Sequence, residues 1–122
     1  MTLARQLTSA QLLIARAMTE DALLTNVLDA AQQLGWLRAH FRPAKTAKGW
    51  RTAVQGDGKG FPDLILLRGP RGLAVELKAE RAPKKMPDEQ VAWLDAFVAA
   101  GFESRRWRPA HWQSGQIEEV LA

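Results

Sequence analysis

Apolar positions follow a helical rhythm early in the chain and a two-residue rhythm later. Over residues 3–18, Leu3, Leu7, Leu12, Leu13, Ile14 and Met18 recur at loosely helical spacing, which predicts either a leading helix or a docking arm. Thr19 reads as an N-cap, with Glu20 and Asp21 in the first turn where the helix dipole favours acids. Leu23, Leu24, Val27, Leu28, Ala31 and Leu34 form the apolar stripe of the helix that follows, and Gly35 ends it. Trp36 to Arg42 alternates as a strand, with Trp36, Arg38, His40 and Arg42 on one face and Leu37, Ala39 and Phe41 on the other. From Pro43 to Lys59 no period is clear, apart from a short strand around Trp50–Val54 and a turn at the Gly56–Gly60 cluster.

The second half is more regular. Asp63 to Arg68 carries the unbroken apolar run Leu64-Ile65-Leu66-Leu67, which predicts a strand buried on both faces. Gly69-Pro70-Arg71-Gly72 is a tight connection, so the strand Leu73–Ala79 is expected to pair back as an antiparallel hairpin. Arg81 to Lys85 is a basic loop. Pro87 fits the first position of a helix that runs to about Ala100 and stops at Gly101. Phe102–Arg108 reads as a further strand broken by Pro109, and Ile117–Leu121 as a last short helix. The order is helix, strand, strand, strand, helix, strand, without an internal repeat.

At 122 residues the chain has the size of one domain with one core, residues 1–122. No run is apolar enough to span a membrane, and the N-terminus is not a secretory signal. The absence of cysteine excludes disulfides and thiolate zinc sites and fits a reducing interior. The net charge of +4 is unevenly placed: between Arg38 and Arg71 there are eight basic residues and two acids. A basic segment beside acids suits a polyanionic partner, and a solvated loop accounts for the charge equally well.

The chemistry concentrates in Gly60-Phe61-Pro62-Asp63 and Glu76-Leu77-Lys78. Alternation puts Glu76 and Lys78 on the same face of their strand, and a hairpin would bring Asp63 to the strand end where they emerge. Two convergent carboxylates bind a divalent cation, and a lysine beside them can hold or deprotonate water or steady a phosphate. The alternative is a surface ion pair on an edge strand, which fits poorly with two strongly apolar strands. On the first long helix, at about 100° per residue, Glu20 lines up with Leu24, Val27 and Ala31. A dipole-complementing acid is the simpler account of Glu20 taken alone. Gln90 lines up with Leu94 and Phe97 in the same way. His40 and His111 lack ligand spacing. Trp50, among Lys45, Lys48 and Arg51, is the tryptophan placed to stack on an unpaired base. If the polyanionic partner is DNA, Arg38, His40, Arg42, Lys45, Lys48, Arg51, Lys59, Arg81, Lys84 and Lys85 are the candidate contacts; otherwise they are ordinary solvated charges.

Together these pieces resemble the VRR-NUC branch of the PD-(D/E)XK nucleases from about Thr19 to Trp107. The match lies in the early Glu20, the Gly-x-Pro-Asp strand entry, the Glu-x-Lys strand and the Gln-x-x-Trp-Leu helix followed by Gly101. The resemblance implies an α/β restriction-endonuclease-like core, αβββαβ, with a central mixed sheet flanked by helices. It implies that Asp63, Glu76 and the Leu77 carbonyl bind Mg²⁺ or Mn²⁺, with Glu20 as an additional acid. It further implies that Lys78 positions or activates the attacking water and that Gln90 orients Lys78 or the water. Met86 departs from relatives that cap this helix with Ser or Thr, a difference of about 1 kcal/mol.

Small stand-alone members of that family occur in phages and bacteria and resemble Holliday-junction resolvases. The expected function is therefore a metal-dependent DNA endonuclease acting on branched DNA in the cytoplasm, in repair or recombination. A homodimer is expected because a four-way junction is two-fold symmetric, with residues 1–18 as a helix or dimerisation arm. Flap or nicking endonucleases are alternatives within the class. A silent junction-binding module and a DNA-free adaptor are the rivals outside it.

Overall fold

The computed structural model describes residues 6–41, 43–46, 49–52 and 55–122, with side chains for 6–41 and 55–122. Eleven elements follow one another among the described residues: α1 (Ser9–Ala17), α2 (Glu20–Gln33), β1 (Leu37–His40), β2 (Pro43–Thr46), β3 (Gly49–Thr52), β4 (Leu64–Arg68), β5 (Arg71–Leu77), α3 (Asp88–Ala99), β6 (Glu103–Trp107), α4 (Pro109–Gln113) and α5 (Gln116–Leu121). The expected αβββαβ order is present as α2, β1, β4, β5, α3, β6. The additions are α1, the β2–β3 hairpin and α4–α5.

The elements gather in two compact units. The first holds residues 1–36, 77–83 and 106–122. Here α1 begins with a capping box: the Thr8 hydroxyl accepts from Gln11 N, and the Gln11 side chain accepts from Thr8 N. Thr19 caps α2 as expected, accepting from Ala22 N at 3.0 Å. The helix closes in a Schellman motif, with Gly35 at φ 84°, Gly35 N–H on Gln32 O and Trp36 N–H on Ala31 O. Trp36 therefore belongs to the helix end rather than to the strand. Its ring is buried and its Nε1 donates to Leu121 O at 2.9 Å, which ties α2 to the last helix. Pro109 does break β6, but it also starts α4, which the sequence reading missed. Proline suits a first helical turn because its missing N–H has no partner there.

Within α4, His111 Nδ1 accepts the Arg108 N–H at 2.8 Å. Burial holds this imidazole below its ordinary pKa, while Glu80 pulls the other way. The folded state thus refuses a proton that the unfolded chain accepts. Stability should fall as pH drops from about 6.5 through the folded value, and level off beneath it. His111→Gln is expected to flatten that decline between about pH 5 and 7, measured as urea midpoints. An unchanged slope would assign it to another group.

The second unit holds residues 37–76 and 84–105. The main sheet has the order β1-β4-β5-β6. β1 and β5 both run antiparallel to β4. Arg71 pairs with Glu103 near the strand starts, and Lys78 N–H donates to Trp107 O near their ends, so β6 runs parallel to β5 and the sheet is mixed. The β4–β5 turn is Gly69-Pro70, with Gly69 at φ 56°, as a two-residue hairpin with a leading glycine requires. Arg71 meets Glu103 through two bonds of 2.9 and 3.1 Å, and this contact lowers the Glu103 pKa.

One expectation about burial needs correction. β4 buries one face: Leu64 and Leu66 are fully buried, whereas Leu67 is 41% exposed. Leu67 pairs with Leu37 on β1, the sheet edge, where all four residues are exposed. With a partner on one side only, β1 buries neither of its alternating faces. β5, in the interior of the sheet, is buried continuously from Gly72 to Leu77. The segment read as lacking a period contains the β2–β3 hairpin, with Lys45 in register with Trp50 and Ala44 with Arg51.

Helix α3 packs within this unit through aromatic rings. Phe61 lies 4.9 Å edge-on from both Phe41 and Trp93, and Phe97 continues the chain to Phe102 at 5.0 Å. Pro87, not Met86, is the N-cap, and it makes no side-chain cap bond. Asp88 and Glu89 in the first turn supply charge complementary to the helix dipole.

Candidate active site

The Gly60-Phe61-Pro62-Asp63 entry can be read residue by residue. Gly60 has φ 82°, and a Cβ there would lie 2.6 Å from the Glu89 carbonyl carbon and 2.8 Å from Gln90 N. Only glycine lets this loop approach the first turn of α3 so closely. Phe61 inserts into the aromatic cluster. Pro62 is fully buried and holds Phe61 extended. Trp93 Nε1 donates to Asp57 O at 2.9 Å, and Lys59 meets Glu89 at 3.4 Å, so the loop is fastened to α3 at two further points. Asp63 is then delivered at the head of β4, where its carbonyl accepts the Phe41 N–H at 2.8 Å.

The hairpin register does the rest. The ladder ends with Leu64 paired to Val75, and the same register carried one residue further would set Asp63 across from Glu76. Residues opposed in this way point to the same side of the sheet with Cβ atoms about 5 Å apart. Asp63 is half-buried and Glu76 is only 4% exposed. An ionised carboxylate that deep is costly unless it is hydrogen-bonded or paired with a cation. Gln90 lies in the first turn of α3, directly against Gly60. Its Oε1 is buried and has no hydrogen-bond partner among the described residues. That acceptor fits a donor such as an ammonium group or a water.

Glu20 and Lys78 belong to the first unit. Glu20 opens α2 and is exposed, although Leu24, Val27 and Ala31 on its stripe are buried, so it marks the open end of that stripe. Lys78 follows β5 directly and is half-buried. Its backbone is pinned to Trp107 O, and Leu77 before it is buried. Among the described residues no three acidic or histidine side chains form a ready-made metal cage. Mg²⁺ does not need one: it keeps several waters and takes one or two carboxylates plus phosphate oxygens. The donor set fits that ion class.

The candidate DNA contacts divide. Arg38 and His40 are exposed on the edge strand, and Arg81, Lys84 and Lys85 are exposed in the loop after β5. Lys59 is exposed but engaged with Glu89, which gives it a structural role as well. Arg42 and Lys48 lie outside the described residues, as do the side chains of Lys45, Trp50 and Arg51. The sequence reading missed Arg108. Its Nη1 donates to the carbonyls of Ala79, Glu80 and Ala82 at 3.1, 2.9 and 2.8 Å, and its Nη2 to Pro83 O at 3.1 Å. Nothing local signals this, because the contact joins residues far apart in sequence.

An αβββαβ core carrying an Asp opposite a Glu-x-Lys strand defines a nuclease domain of the PD-(D/E)XK kind. The sequence profile of the VRR-NUC domain matches residues 8–108, most of the chain, and the protein belongs to that family. A search of curated proteins returned no match. Nuclease domains of this kind act on DNA and generally use divalent metals. Among the described residues, no helix is long and apolar enough to cross a membrane.

Proposed function

We propose that the protein is a structure-specific endodeoxyribonuclease that cuts branched DNA with Mg²⁺ or Mn²⁺, as a homodimer in the cytoplasm. The observation that carries the reading is the register that opposes Asp63 to a buried Glu76. Asp63, Glu76 and the Leu77 carbonyl would hold the cation, with Glu20 as an additional acid. When bound, the cation supplies an acidified water and neutralises charge on the phosphate. The Lys78 ammonium donates to the attacking water or to a phosphate oxygen, or in its neutral form accepts the water's proton. Gln90 Oε1 accepts from Lys78 or from that water and fixes its orientation. The exposed Arg38, His40, Arg81, Lys84 and Lys85 contact the phosphate backbone, which makes binding salt-sensitive.

Branched DNA is favoured because a small domain offers limited contact surface, and a junction's two-fold symmetry matches a symmetric dimer. The test is cleavage of labelled four-way junction, 5′ flap and linear duplex in Mg²⁺, Mn²⁺ or EDTA. Preferred, metal-dependent cutting of the junction is expected. Preference for the flap would make the enzyme a flap endonuclease of the same fold. Salt-sensitive junction binding without cutting would make it a silent binding module. Neither binding nor cutting would leave a protein adaptor.

A further inference from the structure

We propose that Arg108 is a positioning residue for Lys78, an inference that rests on the nuclease reading above. Lys78 is held from both sides by the end of β6. On its N-terminal side, its own N–H donates to Trp107 O at 2.9 Å. On its C-terminal side, the next residues turn back on themselves, with Ala82 N–H on Ala79 O at 3.1 Å. The Arg108 guanidinium sits inside that turn and gathers the carbonyls of Ala79, Glu80, Ala82 and Pro83. Arg106 adds a bond to Pro83 O at 2.6 Å, and Glu80 Oε1 accepts from Ala110 N at 2.8 Å. The peptide planes after Lys78 are thereby oriented around one cation.

The choice of arginine is specific. A guanidinium presents five N–H donors in a rigid fork and stays charged, whereas a lysine ammonium is a compact group with three donors on a flexible stem. Three of the carbonyls share the two N–H groups of Nη1, and the second arm of the fork reaches Pro83 O, a spread that one compact ammonium does not cover. The turn is only partly buried, with Arg81 and Pro83 exposed. Water can therefore take over the carbonyls if the guanidinium is removed. Loss of Arg108 should then leave the fold in place and cost precision in where the Lys78 side chain starts. A misplacement of about 1 Å at a catalytic group can cost on the order of 10²-fold in rate.

The experiment compares wild type, Arg108→Ala, Arg108→Lys, Lys78→Ala and the Lys78→Ala/Arg108→Ala double variant on junction DNA. Arg108→Ala should lower kcat by on the order of 10²-fold with KM changed by less than about 2-fold. Arg108→Lys should recover little of this. Added guanidinium ion should restore part of it, and sodium chloride at the same ionic strength should not. In the Lys78→Ala background, removing Arg108 should cost almost nothing further, because the two act as one unit. Additive losses, or a loss carried by KM and by the salt slope of binding, would overturn the proposal and make Arg108 a structural or phosphate-contacting residue. If wild type shows no cutting that depends on Asp63, the nuclease reading itself fails. Positioning is then read without DNA, from amide hydrogen exchange at Lys78 and Ala82. Faster exchange in Arg108→Ala supports it, and unchanged exchange overturns it.

Discussion

Asp63→Ala is expected to abolish metal-dependent cleavage, with a loss of at least about 10³-fold in single-turnover rate. Asp63 is one of the two carboxylates proposed to hold the cation, at the β4 head beside the Leu64–Val75 pair. Removing it takes one of the two proposed carboxylate ligands from the cation, and Glu76 with the Leu77 carbonyl would hold a hard cation less tightly. Stability should behave differently. Asp63 is half-buried at the head of a strand, so in EDTA the variant should lose no more than about 1 kcal/mol of stability. DNA affinity in EDTA should change by less than about 3-fold, because the phosphate contacts proposed above lie on other residues. Full cutting by the purified Asp63→Ala protein would remove Asp63 from the chemistry and point to another metal site. Loss of cutting together with loss of folding would be uninformative about chemistry, and Asp63→Asn, which preserves volume, then decides.

The hairpin that carries the candidate residues was legible in the sequence because its geometry is local. Alternation assigns Glu76 and Lys78 to one face, and a tight Gly-Pro turn leaves the β4–β5 hairpin one register, which puts Asp63 at the strand end next to the Leu64–Val75 pair. Thr19, Gly35 and Gly101 punctuate the helices through backbone chemistry that each residue carries itself. What escaped was set by tertiary contact. Leu67 looks like core by composition, but its neighbour is an exposed edge strand. Trp36 continues the alternation of β1, but its indole is drawn to Leu121 at the other end of the chain. The β2–β3 hairpin carries no alternating apolar face to reveal it. Arg108 reads as a charged residue at a strand end, and its four carbonyl contacts appear only once the chain after β6 meets the turn after Lys78.

Gly60→Ala is the substitution expected to damage the scaffold most, by about 2–4 kcal/mol. Two costs combine. The residue sits at φ 82°, where a Cβ is strained in any surroundings. The Cβ would also fall 2.6 Å from Glu89 C, 2.7 Å from Glu89 Cβ and 2.8 Å from Gln90 N. Backbone of a helix cannot step aside as a flexible side chain can, so either the loop or the first turn of α3 must move. Movement of the loop carries Phe61 out of its aromatic contacts and shifts Asp63. Movement of the helix shifts Gln90. Activity should therefore fall together with stability. Gly56→Ala separates the two costs, because Gly56 has φ 73° but nothing within 4 Å of the added carbon. It should lose only about 1 kcal/mol and keep its activity. The comparison is made by urea denaturation of both variants beside wild type. A larger loss at Gly60, by about 1 kcal/mol or more, shows that the close approach to α3 is what the glycine serves. Equal losses would mean that backbone strain alone explains this glycine, and that the α3 turn carrying Gln90 is not held in place by the Asp63 entry loop.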